Sequence, residues 1–115
     1  EAEEKFKEVN EAYQVLSDEA DHKVKRIVVA PGGCLSLQRH AQRSEHWYCV
    51  SGKGTVTLDE RRFDLHQTMT ADIPRGAAHR LENTSDGDLV IIEVQTGTYF
   101  GEDDIERIED RYGRV

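Results

Sequence analysis

Short apolar runs recur through most of this chain, roughly every 8–12 residues, and each is cut off by glycine, proline or a polar turn. Val24, Ile27, Val28 and Val29 form a β-branched run that stops at Pro31-Gly32-Gly33. Leu35, Leu37 and Arg39 then alternate with Ser36, Gln38 and His40. Residues 47–50 are aromatic and apolar and end at Ser51-Gly52-Lys53-Gly54. Residues 55–58 and 62–65 read as strands joined by a hairpin at Asp59-Glu60-Arg61. A turn at Ile73-Pro74-Arg75-Gly76, a short strand over 79–82, a polar turn over 83–88 and a buried strand over 89–94 complete the series. Branched and aromatic side chains suit a pleated surface, and Gly and Pro supply its turns. Many short strands predict an all-β sandwich or barrel, and closure into a jelly roll removes the exposed edges.

The two ends read differently. Residues 1–10 are charged, and the three-residue spacing of Phe6 and Val9 predicts a short amphipathic helix. After Gly101 the chain turns acidic, and Ile105 and Ile108 are again three apart. That spacing predicts a short C-terminal helix lying on the barrel. The expected division is a charged N-terminal segment over 1–11 and one barrel domain over 12–115. A length of 115 residues suits one domain with one site in its interior.

Charge narrows the partners. The net charge of -8 argues against nucleic acid, which needs a basic footprint. No apolar run approaches the ~20 residues of a membrane span. Cys34 and Cys49 have no paired metal-binding spacing and read as buried free thiols. Without a recognisable secretory signal peptide, the expected location is the cytoplasm.

Two clusters carry the chemistry: residues 38–47, QRHAQRSEHW, and residues 74–83, PRGAAHRLEN. His40 and Gln42 are two apart, which on a strand puts both on one face. Glu45 and His46 follow, and His79 arrives from another strand. Imidazole, carboxylate and amide oxygen converging inside a barrel would suit a divalent ion such as Zn, Mn, Fe, Co or Ni.

Together the clusters match the two cupin motifs. Gly33, His40, Glu45 and Gly52 meet the first, and Pro74, Gly76, His79 and Asn83 meet the second. The resemblance implies a cupin double-stranded β-helix. SLQRHAQRSEHW, HKVKRIVVAPG, IPRGAAHRLEN and the tail IIEVQTGTYFGEDDIERIEDRYGR further resemble the cupin domain of type II mannose-6-phosphate isomerases. The same domain forms the C-terminal part of bifunctional isomerase/mannose-1-phosphate guanylyltransferases. The likeness runs from about Tyr13 to Arg114, and residues 12–16 resemble the family's first strand. The sequence departs from the family at Gln42, where His is usual, at Thr68, where Asn or the Gly opening the second motif is usual, and at Asp72, where Tyr is usual.

The resemblance implies isomerisation of mannose 6-phosphate and fructose 6-phosphate through a cis-enediol. Metal ligands would be His40, Glu45 and His79, with Gln42 as a weaker fourth. Catalytic candidates are Arg43, Glu45 and His46, although alternation turns His46 outward if Glu45 points in. Arg107 and Arg114 would clamp the sugar phosphate from the tail. Two other readings stand beside this one: a non-catalytic cupin that binds a sugar or nucleotide-sugar, and an Fe(II) oxygenase. Residues 13–16 also offer an edge strand for a homodimer.

Overall fold

The computed structural model describes residues 4–8, 11–101 and 103–109, with side chains described from residue 11 onward. The described residues form eleven strands and no helix: β1 (Glu4–Glu8), β2 (Glu11–Asp18), β3 (His22–Val29), β4 (Leu37–Arg39), β5 (Arg43–Ser51), β6 (Lys53–Leu58), β7 (Arg61–His66), β8 (Thr70–Ile73), β9 (His79–Glu82), β10 (Leu89–Gly97) and β11 (Glu106–Glu109). They build a six-stranded sheet, β1-β2-β3-β10-β5-β8, and a five-stranded sheet, β11-β4-β9-β6-β7. All pairings are antiparallel.

The strands form where branched and aromatic residues alternate, and they stop where the backbone needs glycine. Gly52, between β5 and β6, has φ 84, and an added Cβ would lie 2.3 Å from the Asp88 carbonyl oxygen. No other residue fits that corner. Asn83 is fully buried and braces the β9–β10 turn. Its amide donates to the carbonyls of Val29 and Gly87, and its oxygen accepts from Ser85. Cys34 and Cys49 are both buried and free. Burial pushes the Cys49 thiol above its ordinary range, against a lowering bond to the Ser51 backbone.

Both ends correct the helical expectation. Glu4–Glu8 is a strand along the free edge of β2, and Phe6 pairs with Ala12; Val9 lies outside the described residues. Glu106–Glu109 is a strand along β4, with Arg107 opposite Gln38. An isolated helix of ten residues or fewer is marginal in water. A sheet edge instead offers every second backbone group a partner at once. Arg80 reinforces β11 by donating to the Glu109 carboxylate and carbonyl.

The interior changes character along the barrel axis. On β3 the inward residues run Val29, Ile27, Lys25; on β10, Leu89, Ile91, Glu93, Gln95; on β5, Cys49, Trp47, Glu45, Arg43. The registers align these changes: Val29 faces Leu89, Ile27 faces Ile91, and Lys25 faces Glu93. Glu93 then faces Trp47 and Gln95 faces Glu45. One end is closed by apolar packing with Val56, Leu58, Leu65 and Leu81. The other end is charged.

Candidate metal centre at the polar end of the barrel

Three elements meet at the polar end. His40 follows β4, Glu45 lies on β5, and His79 opens β9. All three are buried, and one ligand atom from each lies within 4.8 Å of the other two. His40 Nε2 is 3.3 Å from Glu45 Oε2, and His79 Nε2 is 4.0 Å from Glu45 Oε1. The two imidazole centroids are 5.1 Å apart.

Backbone carbonyls set both tautomers. His40 Nδ1 donates to the Asp104 carbonyl at 2.6 Å, and His79 Nδ1 donates to the Ala77 carbonyl at 3.0 Å. A carbonyl only accepts, so each Nδ1 carries the proton and each Nε2 keeps its lone pair. Two imidazole lone pairs and one carboxylate therefore converge. Such a set of acceptors fits a divalent transition ion, held as neutral imidazole and carboxylate with the outer ring nitrogens tied back.

The surrounding charge agrees. Among the described buried residues, the carboxylates of Glu11, Glu45 and Glu93 outnumber the cations of Lys25 and Arg43 by one.

The predicted site residues divide clearly. Arg43 is 1% exposed and touches two of the three: its Nε donates to Glu45 Oε2 at 3.3 Å and its Nη2 to His40 Nε2 at 3.4 Å. Gln42 does not share a strand face with His40. Residues 41 and 42 form a bend, and Gln42 is exposed. Asp104 holds that bend, accepting from the backbone N–H of Ala41 and of Gln42. His46 lies on the outer face of β5 and pairs with Asp72. Strand alternation, which turns Glu45 inward, turns His46 away from the His40–Glu45–His79 group. Arg107 is half-buried on β11, and its Nε has no hydrogen-bond partner among the described residues. Arg114 lies outside the described residues.

The sequence reading missed several interior groups. Lys25, Glu93 and Gln95 occupy buried inward positions, with Lys25 opposite Glu93 and Gln95 opposite Glu45. Their signal was available: Glu93 and Gln95 interrupt an apolar strand with period two, which marks one inner face. Asp104 was read only as tail charge. Near it, Tyr99 donates to Asp103, and this hydrogen bond, chiefly, pushes the phenol above its usual range. The second motif also has a structural share: the Gly76 N–H, at φ 81, donates to the His40 carbonyl and draws the β8–β9 turn against the first ligand.

Two facing antiparallel sheets with a His–Glu–His group between them define a cupin, the double-stranded β-helix class. A solved double-stranded β-helix domain protein from Klebsiella pneumoniae has the same fold, with TM-score 0.74 and 17% identity over 84% of this chain and 83% of its own. Within that class, the chain belongs to the family described as mannose-6-phosphate isomerase C-terminal, which it matches over residues 3–110. It is 57% identical over 91 residues to the alginate biosynthesis protein AlgA of Pseudomonas syringae pv. tomato, covering 79% of this chain and 19% of that protein. It is 48% identical over 91 residues to a mannose-1-phosphate guanylyltransferase of Escherichia coli, with the same coverage. The chain thus spans about a fifth of the length of these relatives.

Proposed function

We propose that this cupin domain interconverts mannose 6-phosphate and fructose 6-phosphate, using a divalent ion held by His40, Glu45 and His79. The observation that supports this reading is the pair of tautomers, which leave an acceptor nitrogen of each imidazole beside one buried carboxylate. A bound ion of the Zn, Mn, Co, Fe or Ni kind would supply Lewis acidity toward a sugar carbonyl. The chain's own residues do the rest. Arg43 holds a fixed positive charge beside Glu45, where an enediolate oxygen would need it. Arg107 keeps a buried N–H ready for an anion, which suits a phosphate. Arg114 is a candidate second phosphate donor from the resemblance alone.

A second reading is a binding module for a sugar or nucleotide-sugar without turnover. The exposed position of Gln42 favours it, because the group then has three protein donors and lacks the expected fourth.

One experiment separates the two. The protein is stripped of metal, ions are added back singly, and fructose 6-phosphate to mannose 6-phosphate conversion is assayed. The isomerase reading expects one ion per chain, with turnover that Glu45→Gln and His79→Ala both abolish. Metal uptake with no turnover under any of Mn, Zn, Co or Ni would leave the binding module. Neither uptake nor turnover would remove the metal reading altogether.

A further inference from the structure

We propose that Glu93 is a positioning residue for the carboxylate of Glu45 and acts on it through the Trp47 indole. The proposal rests on the reading of Glu45 as a metal ligand. Four inward residues form a two-by-two block on adjacent strands. Glu45 and Trp47 lie on β5, with Gln95 and Glu93 as their partners on β10. All four are at most 4% exposed.

The hydrogen bonds run in one direction. Gln95 Nε2 donates to Glu93 Oε2 at 2.8 Å. Trp47 Nε1 carries a single N–H, shared between Glu93 Oε1 at 3.2 Å and Glu45 Oε1 at 3.0 Å. The indole is donor-only, so both carboxylates are acceptors of the same proton. Glu93, held by Gln95, thus sets the plane of the indole. The indole in turn takes up one oxygen of Glu45. The other, Oε2, is left facing His40 Nε2 and Arg43. The Trp47 ring also packs edge-on against His79 at 5.8 Å, so one side chain touches two of the three ligands.

Groups that hold a metal ligand from behind typically change metal affinity about 10–100-fold when lost. The chain contains one tryptophan, so its indole N–H gives a single, assignable proton resonance. The test compares Glu93→Met, which removes the acceptor, with Glu93→Gln, which keeps an oxygen for the indole while Gln95 turns its amide round. Cobalt and zinc affinities are measured by calorimetry, and the indole resonance by NMR.

The expected result is a loss of about 10–100-fold in Glu93→Met with a moved indole resonance. Glu93→Gln should recover most of that affinity. Equal loss in both variants would mean that Glu93 acts by its charge, and unchanged affinity in Glu93→Met would mean that it does not act at all; either overturns the proposal. Should Glu93→Met fail to fold, Trp47→Phe decides: with Glu93 intact it must lose the same affinity, and no loss overturns the linkage. If the unsubstituted chain takes up neither ion, the metal reading fails, and the linkage is judged on the indole alone. Glu45→Gln must then move the resonance by different amounts in the unsubstituted chain and in Glu93→Met; a shift of equal size in both would overturn it.

Discussion

Thr68 carries a β-branched side chain at φ 73, in the turn between β7 and β8 where the Met69 N–H returns to the His66 carbonyl. A positive φ at the third position of such a turn favours glycine, and a branched residue there costs about 1–2 kcal/mol. Its side chain is exposed, so replacement loses no packing. Thr68→Gly is expected to stabilise the domain by about 1 kcal/mol after glycine's own entropy cost, raising Tm by about 4 °C in a calorimetric scan. An unchanged or lower Tm would show that the turn is not strained. The same position departs from the family pattern in sequence, although that departure alone does not display a positive φ. His40, Glu45 and His79 were also legible, because two ordered motifs carry them. The strand face expected to be shared by His40 and Gln42 fails for a local reason. Alternation was extended across residues that bend instead, and nothing at positions 41 and 42 announces that Asp104, more than sixty residues later, will hold them.

Strands were read well where the pattern itself decides them. The β-branched run before Pro31 and the hairpin at Asp59 stand where alternation and turn chemistry place them. The chain ends failed because a spacing of three suits a helix only when nothing better is available. β1 and β11 are edge strands, and their pairing is decided by the open sides of β2 and β4, which local sequence does not display. Ile108 is 38% exposed on β11, so its spacing from Ile105 encoded no buried face. Deleting the chain from residue 103 onward should therefore uncover the edge of β4 and release Arg80 from Glu109. The expected outcome is a lower urea midpoint and self-association seen by light scattering. A monomer of unchanged stability would show that β11 contributes little to the fold.

At the scale of the whole molecule, the barrel is two half-interiors stacked end to end. The change from apolar to charged occurs at one level on β3, β10 and β5, so apolar packing fills one end and the His40–Glu45–His79 group sits at the other. The tail crosses the charged end. Gly101 accepts from Arg43, and Asp104 accepts from His40 and from the bend beside it. The enclosed space next to Glu45, Trp47, His79 and Glu93 is about 10 Å³, on the order of one water. If His40, Glu45 and His79 hold an ion as proposed, the tail contacts of Asp104 beside His40 are expected to slow its exit. Asp104→Ala is expected to speed transfer of bound cobalt to a chelator, by roughly tenfold for a contact of about 1.4 kcal/mol, while the fold survives; an unchanged rate would show that the tail does not govern release.

The His40–Asp104 contact closes a loop of 64 residues. Contacts of such separation form late, because their closure must wait for the chain between them. A newly made polypeptide can therefore build its apolar half before the His40 imidazole is fixed, since its Asp104 partner must first emerge and turn back. The polar end of the barrel is thus completed by the part of the chain most distant in sequence from His40.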